Sequence, residues 1–137
     1  MVTRRGAPYA AAMVSVLIVD DQEPFRVAAR AVVEATDDFQ VVGEAETGEA
    51  SVDMVDDLHP DLVLMDVNLP GINGIEATRQ IVARTGGSVP VVLVLSTYDA
   101  SQYGPAAEEA GAAGFISKGE FSPDRLQEAW ESAKLTA

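Results

Sequence analysis

The sequence predicts an α/β domain in which a doubly wound, five-stranded parallel sheet is covered by helices on both faces. Two observations support this fold class. Short apolar runs rich in Val, Ile and Leu recur along the chain without polar alternation, as expected for strands that are buried on both faces. Between these runs lie segments whose apolar residues repeat at helical spacing, so each strand is followed by a crossover helix.

Five segments are predicted as strands from their apolar, β-branched composition. The first and third, Val14 to Val19 and Asp61 to Met65, each run directly into an aspartate. The others are Gln40 to Ala45, Val89 to Leu95 and Gly114 to Ser117. Ligands of such sheets bind outside the carboxyl ends of the strands, so the residues that follow these runs are the candidate site residues.

The segments between the strands carry signals for helix starts and ends. A first helix is predicted from Glu23, with Pro24 in its first turn. Thr47 is predicted to cap a second helix, which His59 and Pro60 close. The remaining helices are predicted over Ile75 to Arg84, Asp99 to Ala110, and Ser122, as N-cap, to Ala133.

Composition limits the partners and the kinds of site. The chain has 137 residues, about one domain, and its 47% hydrophobic and 23% charged residues are typical of a globular protein. Its net charge of -13 argues against direct binding to nucleic acid or to an anionic membrane. The chain has no Cys and one His, so any metal site must use oxygen ligands.

The first thirteen residues are predicted to be a disordered lead-in to a domain that spans residues 14–135. Arg4 and Arg5 precede an Ala-rich stretch, as at the start of a signal peptide, but the apolar run is too short for one. No later run reaches the roughly 18 apolar residues of a membrane span, so a cytoplasmic location is expected. Met13 is a candidate start of the functional domain.

Polar groups that could together bind a metal ion and an anion follow four of the five predicted strands. Three carboxylates within several Å of one another require a cation, because like charges raise one another's pKa. Hard oxygen ligands with room for water favour Mg²⁺, with Mn²⁺ as an alternative. A hydroxyl and an ammonium on the opposite rim would complete a socket for a tetrahedral anion. These residues are, in chain order, Asp20, Asp21, Asp66, Ser96, Thr97 and Lys118.

Each of these residues also has an ordinary structural interpretation. An Asp-Asp pair after a strand is most often a solvated turn or a helix cap, Ser96 suits a helix N-cap, and Lys118 suits a solvated surface position. Their shared location favours a functional role, because the groups lie at the same end of separate core strands.

The segments VLIVDDQ, DLVLMDVNLPGINGIEATRQI, VLVLST and GAAGFISK together resemble the receiver domain of two-component response regulators, over Val14 to Ala133. The likeness is greatest to receivers of the NarL/FixJ type, which commonly lack a proline after the site lysine; Gly119 stands there in this chain. The resemblance implies a flavodoxin-like, CheY-like sheet with strand order 2-1-3-4-5.

The resemblance also implies a role for each site residue. Asp66 would accept a phosphoryl group from a sensor histidine kinase. Asp20, Asp21, Asp66 and the backbone carbonyl of Asn68 would hold Mg²⁺, while Ser96 and Lys118 would bind phosphoryl oxygens. Phe115 resembles the switch aromatic that moves with Ser96 and remodels the face formed by the fourth helix, fifth strand and fifth helix. A static core ring is the alternative for Phe115. Gly104 and Pro105 in the fourth helix are expected to weaken or kink it.

Two residues near the site resemble positions that set the lifetime of an acyl phosphate, Asn68 and Tyr98. The resemblance implies transcriptional output through a DNA-binding domain outside this chain, homodimerisation on phosphorylation, or action on a separate target protein. A stand-alone receiver that serves a phosphorelay is the alternative. The chain would not be a classical enzyme, but it would catalyse its own Mg²⁺-dependent phosphorylation and dephosphorylation.

Two other protein classes are open to test. Phosphatases of the haloacid-dehalogenase class also use a strand-end Asp and Mg²⁺, but they carry a second Asp where this chain has Asn68. A degenerate receiver that acts purely as an interaction module would be expected to lack site residues that are present here.

Overall fold

The computed structural model describes residues 13–84, 89–97 and 100–136, and it contains the predicted five-stranded parallel sheet. The strand order is β2-β1-β3-β4-β5, so the predicted fold class and strand order are confirmed. The strands are β1 (Val14–Val19), β2 (Phe39–Ala45), β3 (Leu62–Asp66), β4 (Val91–Ser96) and β5 (Gly114–Ser117).

A helix follows each strand along the chain. The helices are α1 (Glu23–Glu34), α2 (Gly48–Leu58), α3 (Gly74–Ala83), α4 (Ala100–Ala110) and α5 (Pro123–Thr136). A short 3-10 helix, Lys118–Glu120, lies between β5 and α5. Within the described ranges, no helix combines the length and apolar character needed to cross a membrane. The lead-in was predicted over residues 1–13, and all of these except Met13 lie outside the described residues.

Several boundaries differ from the sequence prediction by one or two residues, and the differences at the ends of β3 and β4 move polar residues into the sheet. The ladder of β4 begins at Val91, whose N–H donates to the carbonyl of Asp61 at 3.0 Å, and it continues through Ser96. Likewise β3 ends at Asp66 itself, rather than one residue earlier. The apolar run stops where the site residues begin, whereas the ladder continues through Asp66 and Ser96, which are polar but buried.

The helix ends follow the predicted capping signals. The Thr47 hydroxyl accepts a hydrogen bond from the Ala50 N–H at 3.0 Å. The Ser122 hydroxyl accepts one from the Arg125 N–H at 3.1 Å. His59 ends α2 in the left-handed conformation, with φ 48°, and its N–H donates to the Val55 carbonyl at 3.0 Å.

The core consists of two apolar layers, one on each face of the sheet. Along β1 the side chains alternate: Leu17 and Val19 enter one layer, and Val16 and Ile18 enter the other. The first layer packs under α2, α3 and α4, with Val52, Ile81 and Ala107 as buried members; the second packs under α1 and α5, with Val33 and Leu126 as buried members. Burial on both faces explains the apolar strands from which the fold was predicted.

The sheet register brings the strand ends to one edge. Val19 pairs with Met65, so Asp20 and Asp66 follow at the same level. Asp66 pairs with Leu95, the residue before Ser96. Ser96 in turn pairs with Ser117, the residue before Lys118. The parallel ladder alone therefore places the predicted residues within one short stretch of the sheet edge.

Candidate functional site

Three carboxylates meet at this edge. An oxygen of Asp20, Asp21 and Asp66 can be chosen so that all three lie within 4.8 Å of one another. Asp20 is fully buried and Asp66 is 4% exposed, whereas Asp21 is exposed. The cluster thus has two acids inside the protein and one facing solvent.

Asp20 is fixed by its own turn. Its N–H donates to the Ala45 carbonyl at 3.0 Å, which extends the β1–β2 ladder by one residue. Its Oδ1 accepts a hydrogen bond from the Gln22 N–H at 2.8 Å, which holds the carboxylate over the start of α1. This bond leaves Oδ2 for the interior of the site.

Lys118 crosses the sheet edge and joins two of the acids. Its Nζ lies 2.8 Å from Asp20 Oδ2 and 3.2 Å from Asp66 Oδ1. The side chain is 13% exposed, so these contacts are largely shielded from water. The alternative interpretation of Lys118 as a solvated surface lysine is excluded, because its ammonium is part of the acidic cluster.

The negative charge of the cluster exceeds its positive charge. Three carboxylates face one lysine ammonium. The pKa of Asp66 is raised from 3.8 to about 6. Burial of the carboxyl is the largest cause, followed by the charge of Asp20; Lys118 and the backbone N–H of Asn68 act in the opposite direction. Such a site favours the addition of positive charge near Asp66.

The loop after Asp66 is held at both ends by backbone hydrogen bonds. The Val67 N–H donates to the Leu95 carbonyl at 3.1 Å, and the Gly74 N–H donates to the Val67 carbonyl at 2.9 Å. Gly74 packs so closely on this loop that an added Cβ would overlap the Asp66 carbonyl oxygen. Gly74 directly precedes the predicted start of the third helix at Ile75, and no signal in the sequence indicated its contact with the Asp66 backbone.

A depression of about 210 Å³ opens over the site. Its lining includes the exposed acid Asp21, the buried acid Asp66, Lys118, and three further residues: Gln22, Asn68 and Thr97. Ser96 is completely buried at the end of β4, one residue before Thr97. The structure therefore gathers two of the three predicted acids, the lysine, Thr97 and Asn68 around one opening. Asp20 and Ser96 are fully buried, and each directly precedes a residue that lines it.

Of the two remaining predicted residues, Phe115 does not line this opening. Phe115 is half-buried on β5 and packs against the apolar layer under α4. Its carbonyl accepts a hydrogen bond from Arg125 at 3.4 Å, which connects β5 with α5. Tyr98 lies outside the described residues.

Comparison with known proteins agrees with this geometry. The family described as response regulator receiver domain matches residues 16–131. The chain belongs to this family. It is 37% identical over 116 residues to the transcriptional regulatory protein DegU of Brevibacillus brevis, an alignment that covers 85% of this chain and 48% of that protein. The chain spans about half the length of the curated relatives it matches.

Solved structures of response regulators are also similar to this chain. A two-component response regulator of the LuxR family from Aurantimonas has a TM-score of 0.79 and 32% identity, covering 88% of this chain and 84% of that one. The receiver domain of the putative response regulator NarL from Mycobacterium tuberculosis has a TM-score of 0.78 and 28% identity, covering 89% and 97%. The predicted likeness to NarL-type receivers is thereby confirmed.

Two residues of this receiver domain, Arg26 and Phe25, make contacts near the site that could not be predicted from its sequence. Arg26 on α1 donates from Nη1 to the Asp20 carbonyl at 2.8 Å and from Nε to Glu44 at 3.1 Å, so it braces the turn that carries the acidic pair. The ring of Phe25 lies under Lys118, with 4.3 Å from Nζ to the ring centroid. Both residues occur in an amphipathic helix whose spacing predicted only a core face.

Proposed function

We propose that Asp66 is the phosphoacceptor of this receiver domain and takes its phosphoryl group from a phosphohistidine of a sensor histidine kinase. The observation that carries the proposal is the position of the Asp66 carboxylate. It ends a core strand, borders the depression, and lies 3.2 Å from the Lys118 ammonium and beside two further acids. Many surface aspartates occur in this acidic chain, but this arrangement singles out a reactive one.

The transfer exchanges one bond to phosphorus for another. A carboxylate oxygen of Asp66 forms a bond to phosphorus as the phosphorus–nitrogen bond to the donor histidine breaks, and the imidazole nitrogen leaves with its electron pair. Asp66 must be ionised to attack, and its pKa of about 6 leaves it mostly ionised at neutral pH. Lys118 is placed to balance charge on the phosphoryl oxygens, which is the main catalytic requirement of a loose transition state.

The donor set fits a divalent metal ion. Asp20, Asp21 and Asp66 offer only oxygen ligands and carry more negative charge than Lys118 balances. We propose Mg²⁺ as the ion, with Mn²⁺ as an alternative, held by these carboxylates and the backbone carbonyl of Asn68. When bound, the ion neutralises charge on Asp66 and on the entering phosphoryl group.

Output is proposed to pass through Ser96 and Phe115 to the face formed by α4, β5 and α5. Two cavities flank Phe115 and support this proposal. One, of about 190 Å³, is lined by α4 residues that include Gly104 and Ala107. The other, of about 370 Å³, lies toward α5, where Arg125 and Glu128 line it. A half-buried ring with space on both sides can change its position without displacing the core.

The proposed receiver domain spans residues 14–135. It is proposed to act in the cytoplasm as the signal-receiving part of a regulator. Its relatives include a transcriptional regulatory protein about twice as long as the aligned segment, which supports transcriptional output through a DNA-binding domain. Homodimerisation on phosphorylation and action on a separate target are the other proposed routes. The net charge of -13 argues against direct contact of this chain with nucleic acid or an anionic membrane.

Incubation with acetyl phosphate and Mg²⁺, followed by intact-mass spectrometry, tests the proposal. The wild type should gain one phosphoryl group, and chelation of the metal should prevent the gain. Asp66→Asn should remain unmodified, whereas Asp57→Asn, at an exposed position on α2, should behave as wild type. An unmodified wild type would instead favour an interaction module without phosphotransfer.

A further inference from the structure

Lys118 is in contact with an aromatic ring as well as with two acids. Its Nζ lies 4.3 Å from the centroid of the Phe25 ring, 2.8 Å from Asp20 Oδ2 and 3.2 Å from Asp66 Oδ1. A cation within about 6 Å of a ring centroid is attracted by the negative face of the ring. The low exposure of the lysine side chain reduces competition from water.

The position of the Phe25 ring is set by packing. Phe25 lies in the first turns of α1 and packs against the apolar layer beneath α1 and α5. Its ring also packs against Phe121, at 6.4 Å between centroids and 36° between planes. Phe121 directly follows the 3-10 helix that begins at Lys118, so the ring contacts residues at both ends of this short segment.

Contact with a ring can restrict the positions that a lysine side chain adopts. Its four-carbon stem has many rotamers, and the ammonium has no directional preference of its own. The nearer partner, Asp20, would draw the ammonium toward the β1 end of the site. A ring surface beneath Nζ restricts the rotamers to those in which the ammonium reaches both Asp20 and Asp66.

We propose that Phe25 is a positioning residue for Lys118, holding its ammonium between Asp20 and Asp66 through a cation–π contact. The consequence for phosphoryl transfer rests on the proposed function of Asp66. The contact itself does not, so the two can be tested separately.

The chain has two lysines, which makes the contact directly observable by NMR. With ¹³C,¹⁵N-labelled lysine, Lys118 and Lys134 give one set of side-chain signals each, and Lys134→Arg assigns them. The ε-methylene protons of Lys118 should be shifted upfield by the ring current in the wild type and in Phe25→Tyr. In Phe25→Leu, which keeps an apolar side chain but has no ring, they should move toward the position of a free lysine.

Autophosphorylation with acetyl phosphate supplies the second readout and bypasses any docking of a kinase on α1. Phe25→Leu should react about fivefold more slowly than wild type, and Phe25→Tyr within about twofold of it. Phe25→Met provides a second ringless variant if Phe25→Leu fails to fold. Thermal unfolding of each variant checks that a slower rate does not reflect loss of the fold.

Each outcome decides the proposal. Unchanged Lys118 signals in Phe25→Leu would overturn it, and so would an unchanged rate. Equal slowing by Leu and Tyr would also overturn it, because it would indicate that packing alone matters. A loss seen only with a histidine kinase as donor would also overturn it and make Phe25 a docking residue. If the wild type is not phosphorylated at all, the function proposed for Asp66 fails, and the lysine signals still decide whether the Phe25 ring contacts Lys118.

Discussion

Lys118 Nζ and Asp20 Oδ2 lie 2.8 Å apart although 98 residues separate them in the chain. Asp20 follows β1 and Lys118 follows β5, with β3 and β4 between these strands in the sheet. The contact therefore spans the sheet edge and passes Asp66, which the same ammonium also contacts. One lysine therefore contacts both Asp20, which is fixed by the turn after β1, and Asp66, the acid proposed to react.

Removal of the lysine should change the titration of Asp66. Lys118 lowers the pKa of Asp66, so Lys118→Met should raise that pKa above its present value of about 6. Carboxyl ¹³C NMR of Asp66 over pH, in the absence of divalent metal, measures the shift. Lys134→Met, on the outer part of α5, is the control and should leave the titration unchanged. A lower Asp66 pKa in Lys118→Met would contradict the described contact.

The raised pKa of Asp66 should make stability depend on pH. Between about pH 4 and pH 6 the folded state binds more protons at Asp66 than the unfolded state, so ionisation destabilises the fold as pH rises through this window. Asp66→Asn lacks this effect. In chelator, its free energy of unfolding relative to wild type should therefore increase by about 2 kcal/mol from pH 4 to pH 7.

Urea unfolding at each pH measures this difference. Adding Mg²⁺ at pH 7 should reduce it, because the proposed ion stabilises only the wild-type carboxylate. A difference that is constant across the pH range would show that Asp66 is not the group responsible.

Asp21 should affect metal binding with little effect on folding. It is the exposed member of the three carboxylates, so Asp21→Asn removes charge from the site without opening a cavity. The affinity for Mg²⁺ should fall by roughly tenfold, equivalent to about 1.4 kcal/mol of binding free energy. Calorimetric titration or the Mg²⁺-dependent rise in melting temperature measures it. Asp57→Asn serves as the matched control, and equal affinities in both variants would exclude Asp21 as a ligand.

Substitution by alanine should destabilise the protein at Gly74 and have no effect at Gly119. In Gly74→Ala the new methyl group would overlap the Asp66 carbonyl oxygen, and the loop or α3 must shift. A loss of stability of about 3 kcal/mol and slower phosphorylation are expected. Gly119→Ala, whose Cβ would lie 4.0 Å from the Ser117 hydroxyl, should fold and react as wild type. Denaturant unfolding of both variants makes the comparison.

Tyr98 is predicted to shield the acyl phosphate from water. Tyr98→Ala should therefore lose its phosphoryl group faster than the wild type. The decay of the phosphorylated protein, followed by intact mass in the presence of Mg²⁺, measures the half-life. The same half-life in both proteins would remove Tyr98 from the proposed site.

Much of the site could be predicted because the sheet is parallel. Apolar runs that end in Asp20 and Asp66 indicate where two strands stop, and all parallel strands present their carboxyl ends at one edge. The same reasoning placed Ser96 and Lys118 nearby, and the register confirms that they follow neighbouring ladder positions. Pattern alone was less accurate at the ends of strands, since β3 and β4 each extend into a polar residue.

The sequence by itself determined which polar residues follow the core strands, which residues cap the helices, and which edge of the sheet carries the charged groups. Only the tertiary structure decided that Lys118 joins Asp20 to Asp66 over the ring of Phe25, that Arg26 braces the acidic turn, and that Gly74 packs on the Asp66 backbone. The physical reason is that distances, burial and the resulting pKa depend on side chains from segments far apart in the chain. Periodicity and spacing describe each of those segments only one at a time.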